Sequence, residues 1–301
     1  MPSTAPAVSV LIPVYNCVSF LEETVNSVFK QNFQNWEIII VDDGSSDASL
    51  SVAHKMCESD SRIRIISQQN QGVAIARNNA FSNSRGKYLV FLDADDVIMP
   101  GKLETQFLFL EKNPTIDVVY GDCEICDSRL NLLHTDSDRR TPHEGAVFDK
   151  LCSGNLFAIH SAMVRRSTIE SMGRVHVPRR VQIEDWGLWA EVSTRSLFAY
   201  LPGVVARYRQ HSTMSNKSYG RWKLCAQRLY SFNRIIRMKE YADISVWKKS
   251  DAWRAQARYF QAHGFPLHAR RYFLTAFILC PFNAKTVATL LLNEIGIIFK
   301  R

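Results

Sequence analysis

Short apolar runs alternate with helical apolar stripes along the first 126 residues of the chain. Val8–Val14 is continuously apolar, with Pro13 near its end, and reads as a buried strand. Val18, Leu21, Val25, Val28 and Phe29 then recur at helical spacing. Trp36–Val41 predicts a second strand, and Ser45-Ser46-Asp47 offers N-cap residues for a helix to about Cys57. Ile63–Ile66 predicts a third strand, and Gly72–Ser84 a helix with Val73, Ala76 and Ala80 apolar. Tyr88–Leu92 predicts the fourth strand, Pro100–Lys112 a helix and Val118–Ile125 another strand. Strands alternating with helices indicate an α/β fold, with a mostly parallel central sheet and helices on both faces.

The pattern loosens beyond Asp127. Residues 127–145 are polar and predict a mobile loop. Ala158–Val164 and Val204–Tyr208 read as strands, with a helix over Ile183–Thr194. From about residue 218 the pattern is helical, over 220–240, 247–262, 266–279 and 284–299. This divides the chain into a domain over 1–217 and a basic helical subdomain over 218–301. Neither internal repeats nor low-complexity tracts stand out.

Charge sharpens the division. The whole chain carries +8, but residues 206–301 hold 18 Lys+Arg against 4 Asp+Glu, net +14, which leaves −6 for residues 1–205. Such asymmetry points to an anionic partner: a membrane surface, nucleic acid or a phosphorylated substrate. No apolar run reaches the ~18 residues of a spanning helix. The nearest, Thr286–Phe299, contains Asn293 and Glu294. With no signal peptide in view, the expectation is a cytoplasmic protein, soluble or peripheral on the membrane. Seven scattered cysteines fit a reducing compartment. Cys123 and Cys126 form a lone C-x-x-C on a predicted strand, where positions three apart face opposite sides, and no second pair completes a zinc set.

The candidate chemistry sits at strand ends. Strand 88–92 closes on Asp93-Ala94-Asp95-Asp96. Unpaired carboxylates are costly to desolvate, and like charges that close repel. A hard divalent cation with oxygen ligands, shared with a phosphate, resolves both problems. In an open α/β sheet ligands sit beyond the carboxyl ends of strands, so Pro13-Val14-Tyr15-Asn16, Asp42-Asp43-Gly44-Ser45-Ser46-Asp47 and the Asp93 cluster can share one pocket. For a nucleotide there, Tyr15 can supply an aromatic platform, Asp42 an acceptor, and Asp93 and Asp95 contacts to ribose and metal. Arg77 can neutralise phosphate or orient a carboxylate. Asp42-Asp43-Gly44 taken alone reads equally as a turn.

Two further groups lie downstream. Glu184 and Asp185 open a helix, where the dipole favours negative charge, and the nearby Trp186 and Trp189 suit a sugar pocket; capping by acids is the plainer alternative. Arg207-Tyr208-Arg209-Gln210-His211 places His211 just after a strand, a surface position or a metal ligand as neutral imidazole.

Val8–Asn16, Ile38–Asp47, Gly72–Asn78, Phe91–Asp96, Glu184-Asp185 and Tyr208–His211 occur in the order and spacing of inverting family-2 glycosyltransferases, and residues 8 to about 215 resemble that family throughout. The resemblance implies the GT-A nucleotide-diphospho-sugar transferase fold, a nucleotide-sugar donor and a divalent metal, Mg²⁺ or Mn²⁺. It places Asp42 near the nucleobase with Tyr15 and Pro13 beside it. It gives Asp93 to ribose or metal, Asp95 and His211 to metal, and Asp185 the role of catalytic base, with Glu184 and Trp186 toward the acceptor. Asp96 adjoins the motif, which leaves three acids for two roles. The family's Gly-Gly-Phe-Asp is here Gly173-Arg174-Val175-His176, a departure on the acceptor side.

The chemistry suits these residue types. An acceptor hydroxyl displaces a nucleoside diphosphate from the sugar in one in-line step, a carboxylate takes the hydroxyl proton, and the anomeric centre inverts. A nucleotidyltransferase would show a Gly-rich loop after the first strand, and a dehydrogenase G-x-G-x-x-G; neither is present. Nucleic-acid binding would explain the basic tail but not the acids. A catalytically inactive sugar-binding relative conflicts with intact Asp93, Asp95 and Asp185. The basic tail, with Trp247, Trp253, Phe260, Phe273 and Phe277 beside its cations, reads as a helical cap or as a surface that rests on anionic lipid, which would suit a lipid-linked or sugar acceptor. The implied setting is assembly of cell-surface polysaccharide or glycolipid.

Overall fold

The computed structural model describes residues 5–138, 141–175, 184–212, 214 and 220–283. Nine strands form one sheet: β1 (Val8–Val14), β2 (Trp36–Asp42), β3 (Ile63–Ser67), β4 (Tyr88–Phe91), β5 (Val97–Ile98), β6 (Val118–Cys126), β7 (Leu132–Thr135), β8 (Ala162–Arg165) and β9 (Phe198–Arg209). Their order is β3-β2-β1-β4-β8-β6-β9-β5, with β7 paired to the flank of β6. The pairs β3-β2, β2-β1 and β1-β4 are parallel. Strand β8 then enters antiparallel between β4 and β6, while β6 and β9 run parallel.

The sequence of β1 explains its place at the centre. All seven residues are buried, as expected of a strand covered on both faces. Alternate residues serve the two faces. Leu11, Ile39, Val41, Leu89 and Phe91 belong to one core cluster, and Val10, Ile12, Ile38, Ile40 and Val90 to the other. Each such side chain contributes roughly 1.5–3 kcal/mol by leaving water. Pro13 is tolerated because pairing with β4 ends at Leu11↔Phe91, so no backbone N–H is required of it on that side.

Helices α1 (Leu21–Phe29), α2 (Ser49–Ser59), α3 (Val73–Asn83) and α4 (Lys102–Lys112) connect the parallel part. Leu21, Val25 and Val28 of α1 face the sheet while Glu22 and Glu23 occupy its first turn, where the dipole favours them. Helices α1, α2 and α4 cover one face. The other face is covered by α3, the short α5 (Phe148–Leu151) and α6 (Arg166–Glu170), and α7 (Glu184–Ser193).

The C-terminal helices are α8 (Arg221–Ile235), α9 (Glu240–Asp243), α10 (Val246–Ala262) and α11 (Pro266–Leu279). They are not a detached unit. Phe232 of α8 stacks on Trp186 of α7, with centroids 6.5 Å apart. Phe232, Ile235 and Ala252 share the large core cluster, while Cys225, Ala257, Phe260, Ala269 and Phe273 form a cluster of their own. Among the described residues no helix is long and apolar enough to cross a membrane.

Three expectations need correction. The stretch 127–145 holds strand β7 and a 3-10 turn at Asp136–Asp138. Ala158–Val164 is not one strand: a 3-10 turn at Ile159–Ser161 precedes β8. Strand β9 begins at Phe198, because Pro202-Gly203 interrupts its pairing with β6 without ending the strand. The expected helix over 284–299 lies outside the described residues.

Candidate active site

The carboxyl ends of β1, β2 and β4 meet at one edge, and the loops that leave them are stitched together. Asn16 adopts a left-handed backbone, φ 51°. Its side-chain oxygen accepts from the Ser46 amide at 2.7 Å, and its own amide donates to Ser45 Oγ at 3.0 Å. Gly44 is left-handed too, and a Cβ there would lie 2.9 Å from the Asn70 amide nitrogen. Asp43 serves the architecture. Its carboxylate accepts from Gln68 Nε2 and from the amides of Gln71 and Gly72, all within 2.8 Å, which anchors the start of α3. Asp42 differs. One oxygen accepts from the Ser45 amide at 3.2 Å, while Oδ1 is buried with no partner. A buried acceptor left unmet is costly, and Asp42 Oδ1 can accept one further donor. Beside it Tyr15 is 52% exposed, an open ring at the same edge. Pro13 is buried inside β1 opposite Val41 and presents no face of its own; it leads the chain into the Tyr15 turn.

The acid cluster after β4 splits into three roles. Asp93 is partly exposed and ion-paired to Arg77, which is only 2% exposed. Arg77 thus reaches the site through a carboxylate. Asp95 Oδ2 lies 2.9 Å from Nε2 of His211, whose ring packs on Phe20 at 4.6 Å. Asp96 is wholly buried. It accepts from the Arg209 amide at 2.7 Å and lies 3.0 Å from His160 Nδ1, and His160 Nε2 in turn lies 3.3 Å from Cys123 Sγ. Burial pushes the Asp96 carboxyl up, against the pull of His160. Burial alone would lower His160, but the charge of Asp96 and the contact with Cys123 outweigh it and raise the imidazole. Asp96 and His160 therefore act as a buried support beneath the loop. Arg209 completes that support. Its Nε donates to the Asp95 carbonyl at 2.7 Å, one terminal nitrogen to the Ser128 carbonyl at 2.9 Å, and the other to Glu23 at 2.7 Å.

Two sets of atoms can hold a cation. Asp95 Oδ2 and His211 Nε2 stand 2.9 Å apart, close to the ~3 Å between neighbouring ligands of an octahedral ion at 2.0–2.1 Å. Asp93, Asp96 and His160 also bring ligand atoms within 4.8 Å of one another. In that second set Asp96 and His160 are buried and already paired. The first set, with Asp95 partly open, suits an ion that must also touch a substrate phosphate.

Asp185 lies at the start of α7, near enough to Arg77 and Asp93 to feel their charges. Asn155 Nδ2 donates to its Oδ2 at 2.6 Å, and the Trp186 amide donates to its Oδ1 at 2.8 Å. Burial raises the Asp185 carboxyl, the Arg77 cation lowers it, and Asp93 raises it again, for a net rise. Arg77 therefore stands electrostatically between the base candidate and the acid cluster. Trp186 corrects an expectation. It is fully buried, its indole N–H donates to the Leu151 carbonyl at 2.6 Å, and its ring packs on Phe232. Trp189 is equally buried. Both are core residues that fix α7, with no ring left for a sugar. The side chain of Glu184 lies outside the described residues.

This edge, with its acids, open tyrosine and unmet acceptor, can be set against known proteins. The family model of glycosyl transferase family 2 matches residues 9–173. The chain belongs to that family. This glycosyltransferase is 31% identical over 217 residues to a glycosyltransferase of Haemophilus influenzae, covering 70% of this chain and 83% of that one. It is 29% identical over 249 residues to TuaG of Bacillus subtilis, named as a teichuronic acid biosynthesis glycosyltransferase, covering 79% of this chain and 92% of that one. Among solved structures, S. aureus TarS 1-349 in complex with UDP-GlcNAc aligns with a TM-score of 0.59 at 16% identity, over 96% of this chain and 90% of that one. The mannosyltransferase PcManGT from Pyrobaculum calidifontis, in complex with GDP-Man and Mn²⁺, aligns with a TM-score of 0.56 at 20% identity, over 98% and 86%. These likenesses establish the GT-A fold of the glycosyltransferase, with its C-terminal helices.

Proposed function

We propose that this glycosyltransferase moves a sugar from a nucleoside diphosphate-sugar to an acceptor hydroxyl with inversion. What supports the reading is the strand edge shared by Tyr15, Asp42, Asp93 and Asp95, with Arg77 ion-paired to Asp93 and its charge felt by Asp185. The donor's base lies on Tyr15 and satisfies Asp42 Oδ1, and Asp93, oriented by Arg77, takes the ribose. Asp95 and His211 would hold a divalent cation, Mn²⁺ or Mg²⁺, which would stabilise charge on the leaving diphosphate. Asp185 takes the acceptor proton as the acceptor oxygen bonds to the anomeric carbon. The bond from that carbon to the phosphate oxygen breaks, and the diphosphate leaves with the electron pair. A base with a raised pKa is better matched to neutral pH than an ordinary aspartate. The complexes of TarS with UDP-GlcNAc and of PcManGT with GDP-Man and Mn²⁺ support a nucleotide-sugar and a metal here. The likeness to TuaG supports a place in cell-surface polysaccharide assembly.

The chain is read as a catalytic domain over 1–217 with a helical subdomain over 218–301, at the cytoplasmic face of a membrane. Part of the basic excess is internal. Arg207, Arg209, Arg234 and Lys248 pair with Glu124, Glu23, Glu191 and Asp149. What supports a lipid surface is α11. Ala269, Phe273 and Ala276 face inward, while Leu267, Leu274 and Ile278 are exposed alongside Arg270 and Arg271. An apolar face edged with cations suits anionic lipid carrying a lipid-linked acceptor.

The test is a panel of nucleotide-sugars assayed for Mn²⁺-dependent thermal stabilisation and for transfer. Asp185→Asn is expected to lower transfer about 10²–10⁴-fold and to leave donor affinity intact. Activity that survives full chelation, or loss of donor binding in Asp185→Asn, overturns the assignment.

A further inference from the structure

Asp185 is held by two donors from different parts of the chain. The Trp186 amide belongs to α7, and Asn155 Nδ2 to the loop that follows α5. How these two parts stand relative to each other decides where the carboxylate sits. One side chain from the C-terminal helices touches both. Arg228 of α8 carries its guanidinium over the Trp186 ring, 4.8 Å from the centroid. One terminal nitrogen donates to the Ser153 carbonyl at 3.2 Å, two residues before Asn155.

The same guanidinium is fixed by α10. Its Nε donates at 2.9 Å to Oε1 of Gln256, which is buried, and its central carbon stands 4.4 Å from the centroid of the Tyr259 ring. The residue type suits this place. A guanidinium is planar, stacks on aromatic rings and directs its N–H groups in a fixed fork, so two rings and two acceptors leave it little freedom. A lysine ammonium has no plane to stack and no fork. Other contacts nearby have narrower reach. Phe232 stacks on Trp186, and Arg234 pairs with Glu191 farther along α7. Trp186 itself bonds to the Leu151 carbonyl, at the end of α5. Arg228 ties α7 to the stretch that runs directly into Asn155, and it ties both to α10.

We infer that Arg228 is a positioning residue for Asp185, which makes the C-terminal helices part of the working site and not only a cap on it. The inference rests on the assignment of Asp185 as the base. Loss of the guanidinium frees the start of α7 and the Asn155 loop to shift against each other. A displacement of about 1 Å at a reacting group costs on the order of 10²-fold in rate. None of the partners of Arg228 named above belongs to the donor side, where Tyr15, Asp42, Asp93 and Asp95 stand, so donor affinity is spared.

The experiment compares four full-length proteins: the parent, Arg228→Lys, Asp185→Asn and the double change. The probe is hydrolysis of UDP- and GDP-sugars, in which water stands in for the acceptor hydroxyl and gives its proton to Asp185. Turnover is read as release of UDP or GDP, donor affinity by calorimetry, and folding by melting curves. Arg228→Lys is expected to lower kcat about 10–100-fold while donor Kd changes less than about two-fold. Because Arg228 acts through Asp185, adding Arg228→Lys to Asp185→Asn is expected to cost less than about three-fold more. A role in stability alone would move the melting curve and leave kcat per folded molecule in place. Arg228→Met, which keeps the apolar stem, takes the place of Arg228→Lys if the latter does not fold. Unchanged kcat in a folded variant, donor affinity lost in step with kcat, or losses that multiply in the double change would overturn the positioning role. Full turnover by Asp185→Asn, or none by the parent with any nucleotide-sugar, would instead overturn the function on which that role rests.

Discussion

Lys102 is buried on α4 and, among the described residues, has no acid to pair with. Its ammonium donates to Gln106 Oε1 and to the Ala162 carbonyl, the latter at 3.2 Å, and Gln106 in turn donates to the Ser161 carbonyl at 2.9 Å. Burial lowers its pKa from 10.5 to about 7. The unfolded chain therefore holds one more proton than the folded chain between about pH 7 and 10.5. In that window stability rises with pH by up to about 1.4 kcal/mol per pH unit, and below about pH 7 the dependence on Lys102 disappears. At pH 7.5, three units below 10.5, the penalty is about 4 kcal/mol as an upper figure. Lys102→Met removes it but leaves Gln106 Oε1 without its donor, at about 1–3 kcal/mol. The expected result is a gain of about 1–3 kcal/mol at pH 7.5 that falls to nothing or reverses at pH 9.5. Urea unfolding of parent and variant at both pH values measures it. A stability difference that does not change with pH would refute the reasoning, because packing differences do not titrate. Lys102 contacts none of the donor-site residues, so transfer activity is expected to survive.

Asn155→Ala removes the amide that donates to the Asp185 carboxylate. The charged form loses a partner, so the acid limb of the kcat profile is expected to move to higher pH; an unmoved limb would show that Asn155 has no such role. The double change Arg270→Glu with Arg271→Glu is expected to release the protein from anionic liposomes while leaving neutral ones unaffected. Parent binding should fade with salt, as the Debye length falls from about 10 Å at 0.1 M to about 3 Å at 1 M. Equal sedimentation with both vesicle types would refute a lipid surface on α11.

The parallel half of the fold is readable because its strands are buried on both faces and stand out as apolar runs. Strand β7 is not. Leu132 and Leu133 are 56% and 54% exposed, and a short edge strand among polar residues carries no alternation to read. Strand β9 looks shorter in sequence than in space because Pro202-Gly203 reads as a turn, although pairing resumes at Asp122↔Val204. The acids at strand ends are legible by type and place, but their separate roles are not. Asp42 and Asp43 are neighbours in sequence, yet one has a buried oxygen left unmet and the other is saturated. Trp186 and Trp189 resemble sugar platforms because sequence shows ring size and not which side faces the core. Asn155, His160 and Arg209 act on residues 30 to 186 positions away. Of these three, Arg209 alone lies inside a segment that resembles the family, and there the imidazole of His211 is the more conspicuous group.

The reach of Arg209 has a consequence for how the protein is made. Its amide and guanidinium hold the loop of Asp95 and Asp96, and it also grips Glu23, a partner 186 residues earlier. Contacts between such distant parts of a chain form late, since the loop they close must first be ordered. On a ribosome, the strands from β1 to β4 are complete long before residue 209 emerges. The acid loop therefore lacks the hold of Arg209 until β9 docks beside β6. A chain cut short before β9 accordingly lacks the contacts that fix Asp95 and Asp96.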